Sequence, residues 1–190
     1  MRRGCGAMCF LAVCFALATG SATAQEVVHA LCGTVRSINS SAKTITVDTD
    51  DGSEGLFKDF TRSSVSLDFD KRIRAEATMA VAFTKNGVRA IVYYFGEGDM
   101  RTAVALQDLG TGPFEEDRGT VVHFHHGEHV LTVRNNSGAE ESFQISRRTV
   151  AHTPMGAAEG YEMNLRDGDQ VLVVASAANG TETALFIGET

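Results

Sequence analysis

Four of the chain's six histidines fall within seven residues, in the stretch "HFHHGEH" at 123–129. Imidazole changes charge near neutral pH and is a common nitrogen ligand of zinc, copper and nickel, so chemistry is sought here first. On a β-strand, residues two apart point the same way. If Val122 and Phe124 face inward, His123 and His125 share the outward face, and a short turn brings His126 and His129 beside them. Three such nitrogens could meet one zinc, copper or nickel ion. The candidate metal ligands are therefore His123, His125, His126 and His129. Two other readings stay open. Four clustered imidazoles would gain positive charge on mild acidification, which makes a pH-responsive tip. As the wet end of a hairpin, they would only solvate a turn.

Other chemistry is sparse. The sequence has no Gly-x-Ser-x-Gly elbow, phosphate-binding loop, His-Glu-x-x-His or Gly-x-Gly-x-x-Gly. "DTDDGSE" (48–54) looks like a calcium loop, but with Gly52 at the sixth position the first and third ligands would be Val47 and Thr49. A turn is the better reading. An enzyme would have to assemble its site from scattered groups, such as His152 with Glu159, or the histidine tip with Glu128.

The chain opens with a secretory leader pattern. Arg2 and Arg3 precede an apolar stretch, Phe10 to Ala18, too short for a mature membrane span, and Ala22-Thr23-Ala24 is a small-x-small cleavage signal. A signal peptide over 1–24 is expected, with the mature chain released to the periplasm or the exterior and no membrane span retained. Three of the four cysteines, Cys5, Cys9 and Cys14, would leave with it, so Cys32 would be the single thiol and no internal disulfide could form. Cys32 reads as a small apolar filler, with a reactive thiol as the sharper alternative. Losing two arginines moves the formal charge from −7 to −9. An acidic chain without a basic face is a poor ligand for phosphate backbones, so nucleic acid is not an expected partner.

The elements that would carry these groups read as β. "GTVRSINSSAKTITVD" (33–48) aligns without a gap on "GTVVHFHHGEHVLTVR" (119–134), and farther on Gly52 meets Gly138 and Phe57 meets Phe143. At the ends, "YYFGE" (93–97) is set against "LFIGE" (185–189). Such self-similarity implies a duplicated supersecondary unit. Residues 44–48 and 130–134 alternate and are rich in β-branched side chains. Thr78–Thr84 with Val88–Phe95, and Gln170–Ser176 with Thr181–Ile187, read as closing hairpins. Pro154 and Gly156 mark a long loop. The expectation is an all-β chain of two tandem five-stranded OB-like barrels or rolled sheets, at 25–98 and 117–190. Between them lies a linker, 99–116, in which Arg101 to Gln107 could add a strand or a helical turn. Closure into a barrel removes the exposed edges of a flat sheet.

A family resemblance rests on "NLRDGDQVLVVASAANGTETALFIG" (164–188). Leu165, Gly168, Asp169, Val171, Val173 and Ala184, with Thr149-Val150 upstream, resemble the small OB-like barrels of exported bacterial domain-of-unknown-function families. The first unit fits through Gly33, Val35 and Ser64-Val65, without the Gly-Asp step. The resemblance implies a fold and no catalytic residues. The resulting expectation is a non-enzymatic binding or scaffold module of the cell envelope, whose partner is a protein or small ligand. Metal binding at the histidine tip, or an enzyme, are the alternatives.

Overall fold

A computed structural model describes residues 27–50, 52, 54–59, 76–178 and 181–190. The expected leader and Ser64-Val65 lie outside them. The chain is all-β. The first sheet holds β1 (His29–Asn39), β2 (Thr44–Thr49), β3 (Glu54–Asp59), β4 (Thr78–Met79), β5 (Arg89–Phe95) and β6 (Thr102–Gly110). The second holds β7 (Glu115–His125), β8 (Val130–Asn135), β9 (Glu140–Thr153), β10 (Gly156–Glu159), β11 (Gln170–Ala178) and β12 (Thr181–Glu189). In each unit five strands return on themselves, with β4 or β10 added at the side. The first ring closes through parallel pairing of β3 with β6, the second through parallel β9 with β12. Among the described residues, no helix is long and apolar enough to cross a membrane.

The opening hairpins of the two units have the same register. Gly33, Val35, Ile38 and Asn39 face Thr49, Val47, Ile45 and Thr44. Gly119, Val121, Phe124 and His125 face Asn135, Val133, Leu131 and Val130. Both first strands carry an irregularity at the same step, after Val35 and after Val121. That extra residue changes which side chains point inward. Val121, not the expected Val122, joins Phe124 in the barrel. His123 and His125 still share the outward face.

The glycine opening each motif has a steric cause. A Cβ on Gly33 would lie 2.5 Å from the Asp48 carbonyl oxygen, and one on Gly119 2.2 Å from that of Arg134. The first strand passes too close to its partner there for any side chain.

Equivalent positions fill the two interiors. Val35, Ile45, Val47, Phe57, Val92 and Leu106 fill the first, and Val121, Leu131, Val133, Phe143, Val173 and Ile187 fill the second. All twelve are at most 2% exposed.

The expected boundaries need correction. The span 99–116 is not a linker: Thr102–Gly110 is β6, paired with β5 along its length. The true connection is 111–114. Residues 78–84 and 88–95 do not form a hairpin, because β4 pairs with β6 and residues 80–82 form a 3-10 turn. Strand β5 matches β11, since both lie between the first strand and the closing strand; β12 matches β6. The "YYFGE" and "LFIGE" segments are thus one strand out of step. Pro154 sits in a tight turn between β9 and β10 rather than a long loop, tied by the Thr153 hydroxyl, which donates to the Gly156 carbonyl oxygen.

The units share a third apolar layer. Ala30, Cys32, Ile91, Tyr93 and Ala105 of the first pack on Val150, Val174 and Phe186 of the second. Strands β5, β6 and β11 are therefore covered on both faces, as their unbroken apolar runs require. The Ala157 N–H also donates to the Val28 carbonyl across the seam.

Replacing either close-approach glycine by alanine, Gly33→Ala or Gly119→Ala, should cost about 1–3 kcal/mol of stability in urea denaturation. Gly127→Ala at the tip meets nothing within 4 Å and should change it by under about 0.5 kcal/mol. Equal effects at all three sites would refute the steric argument.

Candidate functional site

The histidine tip is set by backbone geometry. Residues 126–129 form the loop between β7 and β8, and the loop ends on His129 at φ 55°, as the matching loop ends on Lys43 at φ 52°. The Gln144 side-chain amide donates to the carbonyls of Glu128 and His129, and the Ile145 N–H to that of His129. The four imidazoles go in three directions. His123 and His125 meet edge to face at 4.2 Å, with Asp167 Oδ1 3.7 Å from His123 Nδ1. His126 lies 4.3 Å from the Phe124 ring. His129 lies 6.4 Å from Tyr161, over a hollow of about 430 Å3 floored by Ile145 and flanked by Arg147. No group of three or more His, Cys, Asp or Glu among the described residues is placed to hold a metal ion. The expected meeting of His123, His125, His126 and His129 on one ion is not what the chain builds.

Of the scattered pairs, His152 does not bond Glu159: neither carboxylate oxygen takes a hydrogen bond from it. His152 instead meets His29 across the seam, ring to ring at 5.5 Å. Its Nδ1 is enclosed with no partner among the described residues. Burial, with His29 adding to it, pushes its pKa below the ordinary imidazole value.

The seam holds a polar cluster that the sequence reading missed. Arg89 reaches Asp50 and Glu116, each at 2.5 Å, and the Arg118 guanidinium donates to the Asp50 carbonyl. Asp50 and Arg89 belong to the first unit, Glu116 and Arg118 to the second. The Arg89 and Asp50 side chains are only 12% and 5% exposed. Phe114 stacks beneath Arg89 at 5.6 Å. Cys32 is buried against Asp50 and Arg89. Burial first, then the Asp50 carboxylate, pushes its thiol pKa far up, which removes the thiolate that reactivity needs. The sequence trace of this cluster is slight: a lone Arg89 at the head of the apolar run "AIVYYF".

Beside the cluster, the seam opens into a cleft of about 370 Å3, within the size range of small-molecule sites. Leu109 and Gln107 of β6 form one wall and Ser176 and Leu185 of the second unit the other; Pro113 and Phe114 close one end. Gln107 is buried, and its Oε1 accepts a hydrogen bond from the Tyr93 hydroxyl at 2.9 Å. At the rim Arg148 faces Glu76 at 3.5 Å.

The two barrel mouths differ in chemistry. On the inward rows of the second barrel, Glu115 and Asp117 precede Gly119 and Val121, Glu141 precedes Phe143, and Glu182 precedes Ala184. These carboxyls crowd one another. A hydrogen bond with Asp117, then burial and the neighbouring carboxylates, raise the Glu141 pKa to about 7. Burial and Glu115 raise that of Glu182. At the matching mouth of the first barrel stand His29, Leu31, Gly55 and Arg101, with Arg101 4.8 Å over Phe57 and 6.0 Å over Tyr94.

Two outcomes follow from these groups. A carboxyl with a raised folded pKa contributes stability that is full below its unfolded pKa of about 4.5 and is lost as pH rises through about 7. Thermal melts should therefore rise as pH falls from 8.5 to about 6.5; below that, the lowered pKa of His152 opposes the gain. Glu141→Gln should raise the melting temperature at pH 8 and flatten the profile, and an unchanged profile would refute the coupling. Cys32 should resist an aromatic disulfide reagent in the native protein and react once urea unfolds it; rapid native labelling would contradict its burial.

No protein-family model matches the chain, and no curated protein matches it either, so its function rests on the sites described above.

Proposed function

We propose that this chain is a non-enzymatic binding module of the cell envelope, exported behind a leader at 1–24, whose ligand seat is the cleft along the seam of its two barrels. The two units are read as descendants of one duplicated barrel, a reading supported by their identical hairpin registers. The observation that carries the binding role is the cleft itself. It is concave, walled by both units and the connection between them, and mixed in character. Small-ligand sites favour such domain seams, with apolar walls and a few placed polar groups. Among the described residues that line it, Ser176 is the one hydroxyl, and none is an imidazole or thiol that could activate it. Asp108 is engaged at both oxygens, by Lys85 and by the Gly110 N–H, which lowers its pKa and keeps it from serving as a base.

Native mass spectrometry of untagged protein purified from its cellular compartment tests the reading. A small bound mass is expected. Ala177→Trp fills the cleft from an exposed position, so the fold should hold while that mass is lost. A bound mass retained by the variant, or none on the parent protein, would overturn the proposal.

A further inference from the structure

The hydrogen-bonding capacity of the seam cleft is lopsided. Its acceptors other than Glu76 are already used: Gln107 Oε1 by Tyr93, Asp108 Oδ1 by the Gly110 N–H, and Asp108 Oδ2 by Lys85; among the described residues the Glu76 carboxylate is held only by Arg148. Its donors are less engaged. Among the described residues, the Gln107 NH2 has no partner and the Arg148 guanidinium meets only Glu76, at a loose 3.5 Å with both side chains well exposed. Ser176 adds a hydroxyl. With Arg148 released from Glu76, the guanidinium, the Gln107 amide and the Ser176 hydroxyl offer donors to the acceptors of a ligand. Between the rim and the buried amide, Leu109, Phe114 and Leu185 offer apolar contact.

We infer that the cleft takes a small molecule with an apolar body and a carboxylate, and that this carboxylate replaces Glu76 on Arg148. The inference rests on the cleft being the ligand seat. Glu76 shows the chemistry that Arg148 accepts. An exposed pair of this kind contributes little, so an incoming carboxylate displaces it at small cost. A guanidinium binds a carboxylate by charge-assisted and often bidentate bonds, which a neutral amide or alcohol cannot match. The apolar body then excludes water from those bonds and strengthens them. The ligand brings the acceptor that Gln107 lacks, so burying the amide in the complex leaves no donor unmatched.

Calorimetric titration of the full chain with benzoate, hexanoate and octanoate, each paired with its primary amide, tests this. The carboxylates should bind at least about tenfold tighter than their amides. Arg148→Gln should erase that preference while leaving the weaker amide binding in place. Glu76→Gln removes the internal competitor and should tighten carboxylate binding by about two- to fivefold. Both substitutions lie at exposed positions, and melting curves of the variants verify the fold. Equal affinity for acids and amides, a preference that survives Arg148→Gln, or weaker binding by Glu76→Gln would each overturn the inference. If no carboxylate probe binds but a native ligand sensitive to Ala177→Trp is still found, the carboxylate assignment fails and the cleft stands. If neither is found, both fail.

Discussion

The second buried face of strands β5, β6 and β11 is the constraint on which this architecture depends. A five-stranded barrel needs only its inner face covered, but here Ile91, Tyr93, Val174 and Phe186 point outward from their barrels and are fully enclosed by the other unit. Burying a side chain of this size contributes about 1.5–3 kcal/mol, so these four alone supply roughly 6–12 kcal/mol as an upper figure. That is comparable to the whole stability of a typical domain, about 5–15 kcal/mol. Neither unit can leave the other without exposing this layer. The ion-pair cluster of Arg89, Asp50, Glu116 and Arg118 then fixes the orientation. Desolvation offsets much of its attraction, yet removing one partner would strand a buried charge at a cost of about 3–5 kcal/mol. Its role is registry more than strength.

That arrangement explains why ionisable groups near the seam are chemically quiet. The Cys32 thiol is held protonated by burial and by Asp50, and His152 is held neutral by burial and His29. The cleft differs: the buried Gln107 and the exposed Arg148 both line it. The barrel mouths carry a separate contrast, with carboxyls in one and a cation over aromatic rings in the other. The same scaffold rows thus hold opposite charges in its two copies.

Much of the first hairpin of each unit was legible in the sequence. Alternation through Ile45 and Val47, and through Leu131 and Val133, marks the inward rows, and the Gly-Thr-Val motif marks the close approach. The bulge was not legible, because one extra residue reverses facing and nothing in the local composition of Arg36 or Val122 announces it. Strand β6 lies in the expected linker, where 101–107 is open to a strand or a helical turn: glycines bracket it and "AVAL" lacks alternation, and the strand is what forms. That lack of alternation was itself the trace of a strand buried on both sides. The histidine tip drew attention through composition, but composition does not fix direction, and the side chains diverge. The cleft was illegible for a different reason. Its walls come from residues as distant in sequence as Gln107 and Leu185, brought together only when two outer faces meet.

The loops 40–43 and 126–129 span equivalent positions, and each ends on a residue in the left-handed region, Lys43 in one and His129 in the other. Neither side chain is what produces that conformation. The strand register on both sides imposes it and absorbs its strain, on the order of 1–2 kcal/mol for a residue other than glycine. The tip is therefore an exchangeable cassette. Ser40, Ser41, Ala42 and Lys43 occupy it in one unit and a histidine-bearing segment, 126–129, in the other. The surface chemistry at that end of a barrel thus differs between the two units while the strand pairing beneath it stays the same.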